Sequence, residues 1–343
     1  MKLLKIRTLV FVVGALVLFL GATPFIEETS AETIDLKFSS PWPPKHPQHT
    51  KVIEPWAKKI NELTNGRVKV TLFPGQALGK AKDQYDMAAK GISDISLTVP
   101  AYTPGRFQLT SVFWLPFMVT SAEDTSVALW KIHEKYLQDE YKDVKVLWQY
   151  VHAPGQIFTS KKQVKTLADF KGMKIRATSP SLQKSLRVLD VTPVAMPVPE
   201  VYNALDRGVV DGTTMPFEGI WVFKQHEVID YVTLCDLYSM NFAIVMNKKK
   251  WESLPADVKE IIEANIGLEM SRKAGQVYDR VEAALKAKVL ESGVKANDLA
   301  PEDLAKWKEE AVEIRADWAR EKESKGLPGK AVLKDAQDLL GIK

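Results

Sequence analysis

The sequence predicts an α/β protein built from two similar lobes with a cleft between them. Strands and helices alternate along the chain, and the pattern starts again near residue 144, which indicates two mostly parallel sheets with right-handed crossovers. The segments "AAKGISDI" and "ALDRGVVDG" each end a helix at a glycine and place an aspartate three residues later, which indicates an internal repeat. In open α/β sheets, ligands bind beyond the carboxyl ends of the strands, so two such lobes would enclose a ligand.

Residues 1–31 have the pattern of a secretory signal peptide. Lys2, Lys5 and Arg7 form a basic region, an uncharged apolar run follows over residues 9–22, and small residues stand at 29–31. The apolar run is shorter than the roughly 20 residues that a membrane span needs, which favours a cleaved leader over an uncleaved anchor. We therefore expect export to the periplasm and no membrane insertion of the mature chain.

Composition suits a soluble globular chain with a sizeable core. The 343 residues are 45% hydrophobic and 26% charged, and the formal net charge is only +4, which does not favour nucleic acid as a partner. After removal of a leader, the remaining chain is long enough for one large or two medium domains. Cys235 is the only cysteine, so an internal disulfide is impossible.

The first half of the chain predicts three strands with helices between them. Strands are expected at 34–40, 67–73 and 92–99, where apolar residues alternate or cluster. The first helix, over residues 48–63, carries its apolar side chains on one face, and a second helix is expected around residues 82–91.

The second half predicts strands at 144–151, 173–177, 193–196, 209–212 and 242–247. A helix over residues 199–208 begins with Pro199 in its first turn and ends at Gly208.

A long helix is predicted over residues 256–290, and a surface helix over 301–326. In the long helix apolar residues recur at three- and four-residue spacing on both sides of Gly267, so a single helix is expected, with two helices broken at Gly267 as the alternative. A helix of that length would extend about 50 Å, further than one lobe.

Catalytic and metal-binding patterns are weak. The segment "PGQALGKAK" is one residue short of a phosphate-binding loop and has Ala81 where serine or threonine must hold magnesium. His46 and His49 are spaced as H-x-x-H without further ligands nearby, so we interpret them as loop histidines beside prolines rather than metal ligands. Cys235 lies in no nucleophile motif. The sequence predicts no enzyme activity, no cofactor and no metal.

Arg176 raises the main question about the site. In "DFKGMKIRATSP" the residues Met173, Ile175 and Ala177 alternate with Lys174 and Arg176, so Arg176 lies either on a solvated strand face or in the cleft. Aromatic residues in loops could line such a cleft or pack into the core, namely Trp42, Tyr102, Trp114, Phe217 and Trp221.

The runs "TLADFKGMKIRATSP" and "VTPVAMPVPEVYNALDRGVVDGTTMP" resemble the solute-binding subunits of tripartite ATP-independent periplasmic (TRAP) transporters, the DctP-like family. Further similar segments are "NGRVKVTLFPGQALG", "AAKGISDISL", "GRFQLTSVFWLPF" and "MNKKKWESLPADVKEII", and the similarity extends over the whole mature chain. The resemblance implies a two-lobed periplasmic binding protein fold with a hinge and a long helix that spans both lobes. Lobe I would comprise 32–153 and about 241–281, and lobe II would comprise 154–240 and about 282–343.

The resemblance implies that Arg176 pairs with the carboxylate of the ligand, which favours the cleft. The sialic-acid-binding branch has a second arginine where this chain has Gln156, and an asparagine where it has Met215. These differences imply one strong anionic group and a less polar remainder. The expected ligand contacts are Arg176, Gln156, Trp42, Tyr102, Met215, Phe217 and Asn241.

The function implied is capture of a small organic anion, most simply a monocarboxylate, and its delivery to the small and large membrane subunits of a TRAP permease. A sulfonate such as isethionate or a C4-dicarboxylate remains an alternative ligand. A sensor's binding module or a periplasmic enzyme on the same fold is the alternative from a different class, since a fold does not determine function. Arg106 could supply a second cation if it reached the cleft, but we expect it to face the lobe surface.

Overall fold

The computed structural model describes residues 33–342 of the chain. The predicted signal peptide at 1–31 therefore lies outside the described residues. Within residues 33–342, none of the helices combines the length and the hydropathy of a membrane-spanning segment.

The described part of the chain contains strands and helices in alternation, as predicted. The strands, named β1 to β11 in chain order, are Ile34–Ser39, Val68–Phe73, Ile95–Thr98, Val144–Val151, Gly155–Thr159, Lys174–Arg176, Thr192–Val194, Gly212–Met215, Tyr231–Tyr238, Asn241–Asn247 and Lys295–Asp298. The α-helices, named α1 to α11, are Glu54–Leu63, Gln84–Lys90, Ala122–Ile132, Pro180–Arg187, Val201–Asp206, Phe217–Val222, Lys248–Ser253, Ala256–Glu263, Leu268–Glu291, Pro301–Ser324 and Gly329–Leu340.

Two sheets repeat one topology. The first has the strand order β2-β1-β3-β10-β4, and the second has the order β7-β6-β8-β5-β9 with β11 added at its edge. In each sheet the first three strands pair in parallel and the fourth runs antiparallel to both of its neighbours. The predicted two-lobed α/β fold is confirmed.

The predicted internal repeat is confirmed by matching hydrogen bonds. The carboxylate of Asp94 accepts the Lys37 N–H at 2.8 Å, and the Asp94 N–H donates to the Lys37 carbonyl at 3.1 Å. The carboxylate of Asp211 accepts the Lys174 N–H at 2.7 Å, and the Asp211 N–H donates to the Lys174 carbonyl at 2.7 Å. Each aspartate thus fastens the turn after a helix to the middle one of the three parallel strands of its sheet.

The chain passes between the sheets at two neighbouring segments. β4 belongs to the first sheet and β5 to the second, while β9 belongs to the second and β10 to the first. The two passages touch, because the His152 N–H donates to the Met240 carbonyl at 3.3 Å. Near the C-terminus, α10 packs against α4 and α11 packs against α3, so this part of the chain contacts elements beside both sheets. The exact lobe limits given above remain a prediction.

The prediction of one unbroken helix over residues 256–290 is wrong. α8 ends at Glu263 and α9 begins at Leu268, with Gly267 at φ 78° between them. The Gly267 N–H donates to the Leu147 carbonyl at 2.7 Å, which fastens the break to β4. Glycine adopts this left-handed conformation without the penalty of a side chain. The apolar spacing continues across the break, so it gave no sign of the turn.

α9 nevertheless connects the surroundings of both sheets, because two of its carboxylates cap two different helices, α3 and α6. The Asp279 carboxylate accepts the N–H groups of Ala122 and Glu123, at 2.8 and 2.9 Å, where α3 begins. The Glu282 carboxylate accepts the N–H groups of Phe217 and Glu218, at 2.7 and 2.8 Å, where α6 begins. Such caps satisfy helix N–H groups and place negative charge at the positive end of the helix dipole.

Gly275 allows α9 to approach α3 closely, and this yields a stability prediction. A Cβ at residue 275 would lie 2.5 Å from the Ala122 carbonyl oxygen and 2.7 Å from the Cα of Glu123. We expect Gly275→Ala to lower the free energy of unfolding by about 1–3 kcal/mol, because the overlap outweighs the gain in helix propensity. Urea denaturation measures the change.

Lys273→Ala, on the exposed side of the same helix, is the matched control and should leave the free energy of unfolding nearly unchanged. A Gly275→Ala protein as stable as the wild type would show that the helices can separate without cost.

Candidate functional site

A small cavity of about 40 Å³ lies where the two sheets meet, at the carboxyl ends of β1, β3, β6 and β8. This is the position that the two-lobed α/β arrangement predicts for a ligand. The residues that line the cavity are Trp42, His46, Val99, Tyr102, His152, Arg176, Thr178, Val198, Met215, Pro216, Glu218, Gly219, Phe223, Tyr238, Met240, Phe242 and Tyr278.

Arg176 is the cation of this cavity. It is the last residue of β6, and its side chain is buried, with 2% of the residue exposed. Its Nε donates to the Met196 carbonyl at 3.1 Å and its Nη1 donates to the Thr214 carbonyl at 3.2 Å. No carboxylate within residues 33–342 lies within 4 Å of the guanidinium. Since a guanidinium has five N–H donors, the pocket leaves several of them, and a full charge, for an anion.

Three side chains surround the Arg176 guanidinium. The Tyr102 hydroxyl accepts the Val198 N–H at 2.9 Å, and the Tyr238 hydroxyl donates to the Thr214 carbonyl at 3.0 Å. Burial lowers the pKa of His152 to about 4, and the charge of Arg176 also lowers it. The Nδ1 of His152 lies 2.5 Å from the Ala153 carbonyl, so Nδ1 carries the proton of the neutral ring.

Aromatic rings form the walls next to this cation. The ring of Trp42 meets the rings of Phe223 and Phe242 edge to face, at 5.7 and 5.5 Å between centroids. The rings of Phe242 and Tyr278 stack at 6.1 Å. Such walls bury a flat apolar body and favour edge-to-face contact with a further ring.

A second polar group lies beside the aromatic walls. The Nε2 of His46 is 3.0 Å from the Oε1 of Glu218, and both residues are buried. Burial raises the pKa of Glu218 well above its usual range, and the nearby Glu282 carboxylate raises it further. Burial likewise lowers the pKa of His46 well below its usual value. Burial therefore favours the neutral form of both groups, the histidine as free base and the glutamate as acid.

Four of the seven predicted contact residues line the cavity: Arg176, Trp42, Tyr102 and Met215. The structure brings them together from the ends of four different strands. Whether they touch a ligand stays a prediction.

Gln156 is not among the residues that line the cavity. Its Nε2 donates to the Asp236 carboxylate at 2.5 Å, and its Oε1 accepts the N–H groups of Cys235 and Asp236, at 2.7 and 3.0 Å. These bonds fasten β5 to a bulge in β9, where Asp236 has φ 46°. The Gln156 amide forms hydrogen bonds within the fold, so we do not propose it as a ligand contact.

Phe217 and Asn241 are also outside the cavity lining. The Phe217 ring packs edge to face against Phe158 at 5.1 Å, within the second sheet's core. The Asn241 Oδ1 accepts the Trp114 indole N–H at 2.6 Å, and its Nδ2 donates to the Gln149 side chain at 3.3 Å. Both residues are occupied by packing and hydrogen bonds elsewhere.

Sequence reasoning missed several residues of the cavity. His152, Glu218, Phe223 and Tyr278 carried no motif, and they come together only through the crossing segments and α9. His46 was interpreted as a loop histidine beside prolines rather than as a metal ligand; its position close to Trp42 was the one available signal of a cavity residue. Among the described residues, no group of three or more His, Cys, Asp or Glu side chains is arranged to hold a metal ion.

Arg106 does not line the cavity. Its guanidinium lies 3.0 Å from the Asp86 carboxylate and 4.4 Å from the centre of the Tyr85 ring, in a partly exposed position. The expectation that it faces the lobe surface is confirmed.

Residues 38–322 match the family model DctP, which describes the bacterial extracellular solute-binding proteins of family 7. The C4-dicarboxylate-binding periplasmic protein DctP of Rhodobacter capsulatus is 27% identical over 323 residues, which cover 90% of this chain and 93% of that protein.

Two solved structures are similar over nearly their whole length. A TRAP solute-binding protein from Rhodoferax ferrireducens, in complex with copurified benzoate, is 34% identical with a TM-score of 0.87. A marine metagenome TRAP solute-binding protein specific for aromatic acid ligands, in complex with metahydroxyphenylacetate, is 38% identical with a TM-score of 0.87. Each comparison covers 90% of this chain and 98% of the other chain.

Proposed function

Because this chain belongs to the DctP family of bacterial extracellular solute-binding proteins, we propose that it captures an aromatic monocarboxylate and delivers it to a TRAP permease. The ligand occupies the cavity between the two sheets, with its carboxylate on Arg176 and its ring between the aromatic walls.

The observation that carries this proposal is the buried charge of Arg176. The buried guanidinium donates to two carbonyl oxygens, and within residues 33–342 no carboxylate offsets its desolvation. A carboxylate matches the planar fork in shape and charge, and each hydrogen bond to charge contributes about 1.5–3 kcal/mol. The Tyr102 hydroxyl accepts from the backbone and so keeps its own hydrogen for the same anion.

The aromatic walls support a ring as the body of the ligand. Trp42, Phe223, Phe242 and Tyr278 offer faces and edges, and Met215 adds a flexible apolar contact. The similar proteins that bind benzoate and metahydroxyphenylacetate agree with this choice.

The cavity does not suit a dicarboxylate, although one relative is named for C4-dicarboxylates. Arg176 is the single permanently charged cation among the described residues that line the cavity. His46 and His152 also line it, and burial keeps both neutral near pH 7. A second carboxylate would therefore be buried without a partner, which costs several kcal/mol.

The two-lobed architecture supports delivery of the ligand to the permease. The predicted leader at 1–31 directs the chain to the periplasm, and the lobes close over the ligand about the segments near Ala153 and Met240. The closed form presents a surface composed of both lobes to the small and large permease subunits. The protein binds its ligand without altering it, so no catalytic residue is assigned.

Removal of the Arg176 guanidinium should abolish tight binding without unfolding the protein. We expect Arg176→Ala to weaken benzoate binding by about 2–5 kcal/mol, roughly 30-fold to a few thousandfold. Arg176→Lys should restore only part of the affinity, because an ammonium cannot form the planar fork. Isothermal titration calorimetry measures the affinity, and circular dichroism checks the fold.

Arg106→Ala is the matched control, since it removes a guanidinium that lies outside the cavity, and it should bind benzoate as the wild type does. Near wild-type affinity in Arg176→Ala would overturn the assignment of the anion site.

Ligand selectivity should follow from the single cation. We expect benzoate to bind at least about tenfold more tightly than succinate, a difference of about 1.4 kcal/mol, because succinate leaves one carboxylate unpaired. Isethionate satisfies Arg176 but not the aromatic walls, so it should also bind more weakly than benzoate. Competition at pH 7.5 and fixed salt measures all three.

Tighter binding of succinate would show that a second cation reaches the ligand, and Arg106→Ala would then be the next variant to test. Tighter binding of isethionate would show that the rings do not contribute to affinity.

A further inference from the structure

The cavity has a second polar group, which the carboxylate of the proposed ligand does not contact. Glu218 lines the cavity, yet its carboxyl lies more than 4 Å from the Arg176 guanidinium. The stacked rings of Phe242 and Tyr278 contact residues beside each of the two groups. Phe242 is 6.1 Å from His152, beside Arg176, and Tyr278 is 6.4 Å from His46, beside Glu218.

The tautomer of His46 is determined by its backbone contact. The Gln48 N–H donates to Nδ1 of His46 at 3.1 Å, so the ring proton of the neutral histidine is on Nε2. This Nε2 faces the Oε1 of Glu218 at 3.0 Å. The stacked ring of Trp42, at 5.6 Å, holds the imidazole in place.

Glu218 nevertheless has an unused acceptor. Its Oε1 is buried, and within residues 33–342 no donor meets it with hydrogen-bond alignment, His46 Nε2 included. The neighbouring carboxylate of Glu282 is occupied by two backbone N–H groups and has no proton to offer when ionised. A buried polar atom without a partner is costly, and it usually marks a missing water or ligand group.

We propose that Glu218, positioned by His46, is a subsite for a hydroxyl substituent on the ring of the aromatic acid. The hydroxyl donates to Oε1 of Glu218 and accepts from the His46 Nε2–H or from the acid proton of Glu218. A hydroxyl fits because it both donates and accepts without carrying charge. The preferred ligand is therefore a hydroxylated aromatic monocarboxylate. This inference rests on the proposed function and adds the residues that select the substituent.

The test compares hydroxybenzoates with their methyl analogues, which have nearly the same shape but no hydrogen bond. Calorimetry on the wild-type protein uses benzoate, 3- and 4-hydroxybenzoate, and 3- and 4-methylbenzoate. We expect at least one hydroxybenzoate to bind about tenfold more tightly than the matching methylbenzoate.

Two substitutions of Glu218 separate a hydrogen-bonding role from a packing role. Glu218→Leu should remove the hydroxyl preference, so that each hydroxybenzoate binds within about threefold of its methyl analogue. Glu218→Gln should keep most of the preference, because the amide retains a carbonyl acceptor and gains a donor. His46→Phe keeps an aromatic ring on Trp42 and should reduce the preference for the hydroxyl. This variant provides a second test if Glu218→Leu does not fold. Glu252→Leu, at an exposed glutamate of α7, is the control and should change nothing.

The outcomes distinguish this inference from the proposed function. Benzoate binding without a hydroxyl preference in the wild type would overturn the subsite and leave the proposed function intact. A preference that persists in Glu218→Leu would overturn the assignment to Glu218. Failure of every aromatic acid to bind would overturn the proposed function itself.

Discussion

The site depends on one uncompensated charge, the guanidinium of Arg176 at the end of β6. Its two described partners are carbonyl oxygens, which orient the group but do not neutralise it. Burial of such a cation costs free energy in the empty protein, and an anionic ligand offsets that cost. Under the proposed function, the aromatic walls then favour a ring over an aliphatic chain, and the proposed subsite at Glu218 distinguishes the substituents on that ring.

The fold holds this charge at the meeting point of two repeated sheets. Asp94 and Asp211 fasten equivalent turns, so both sheets share the same local hydrogen-bonding pattern. Between the sheets run two short crossings and α9, whose Asp279 and Glu282 cap α3 and α6. Burial raises the pKa of Glu282 to about 7, so this link changes charge near neutral pH. We propose that these few contacts govern how the lobes close over the ligand.

Local pattern was enough to predict the repeat and most strands, whereas the position of Arg176 in the cleft was implied only by the resemblance to the family. Period-two alternation and glycine-terminated helices are short-range signals, and most strands and helices of the structure agree with them. The helix break at Gly267 was not predicted because the apolar spacing is the same on both sides of it. Gln156 was misjudged because its partners, Cys235 and Asp236, lie about 80 residues away. Glu218 and His46 meet only after the sheets assemble, so no window of sequence contains the pair.

A crystal structure of the protein grown with benzoate would show directly whether Arg176 holds the carboxylate of the ligand. Both carboxylate oxygens should lie within hydrogen-bond distance of the Arg176 guanidinium, and the ring should lie between Trp42, Phe223 and Phe242. Benzoate bound outside this cavity, or with its carboxylate turned toward Glu218 and its ring on Arg176, would overturn the assignment of Arg176 as the anion site.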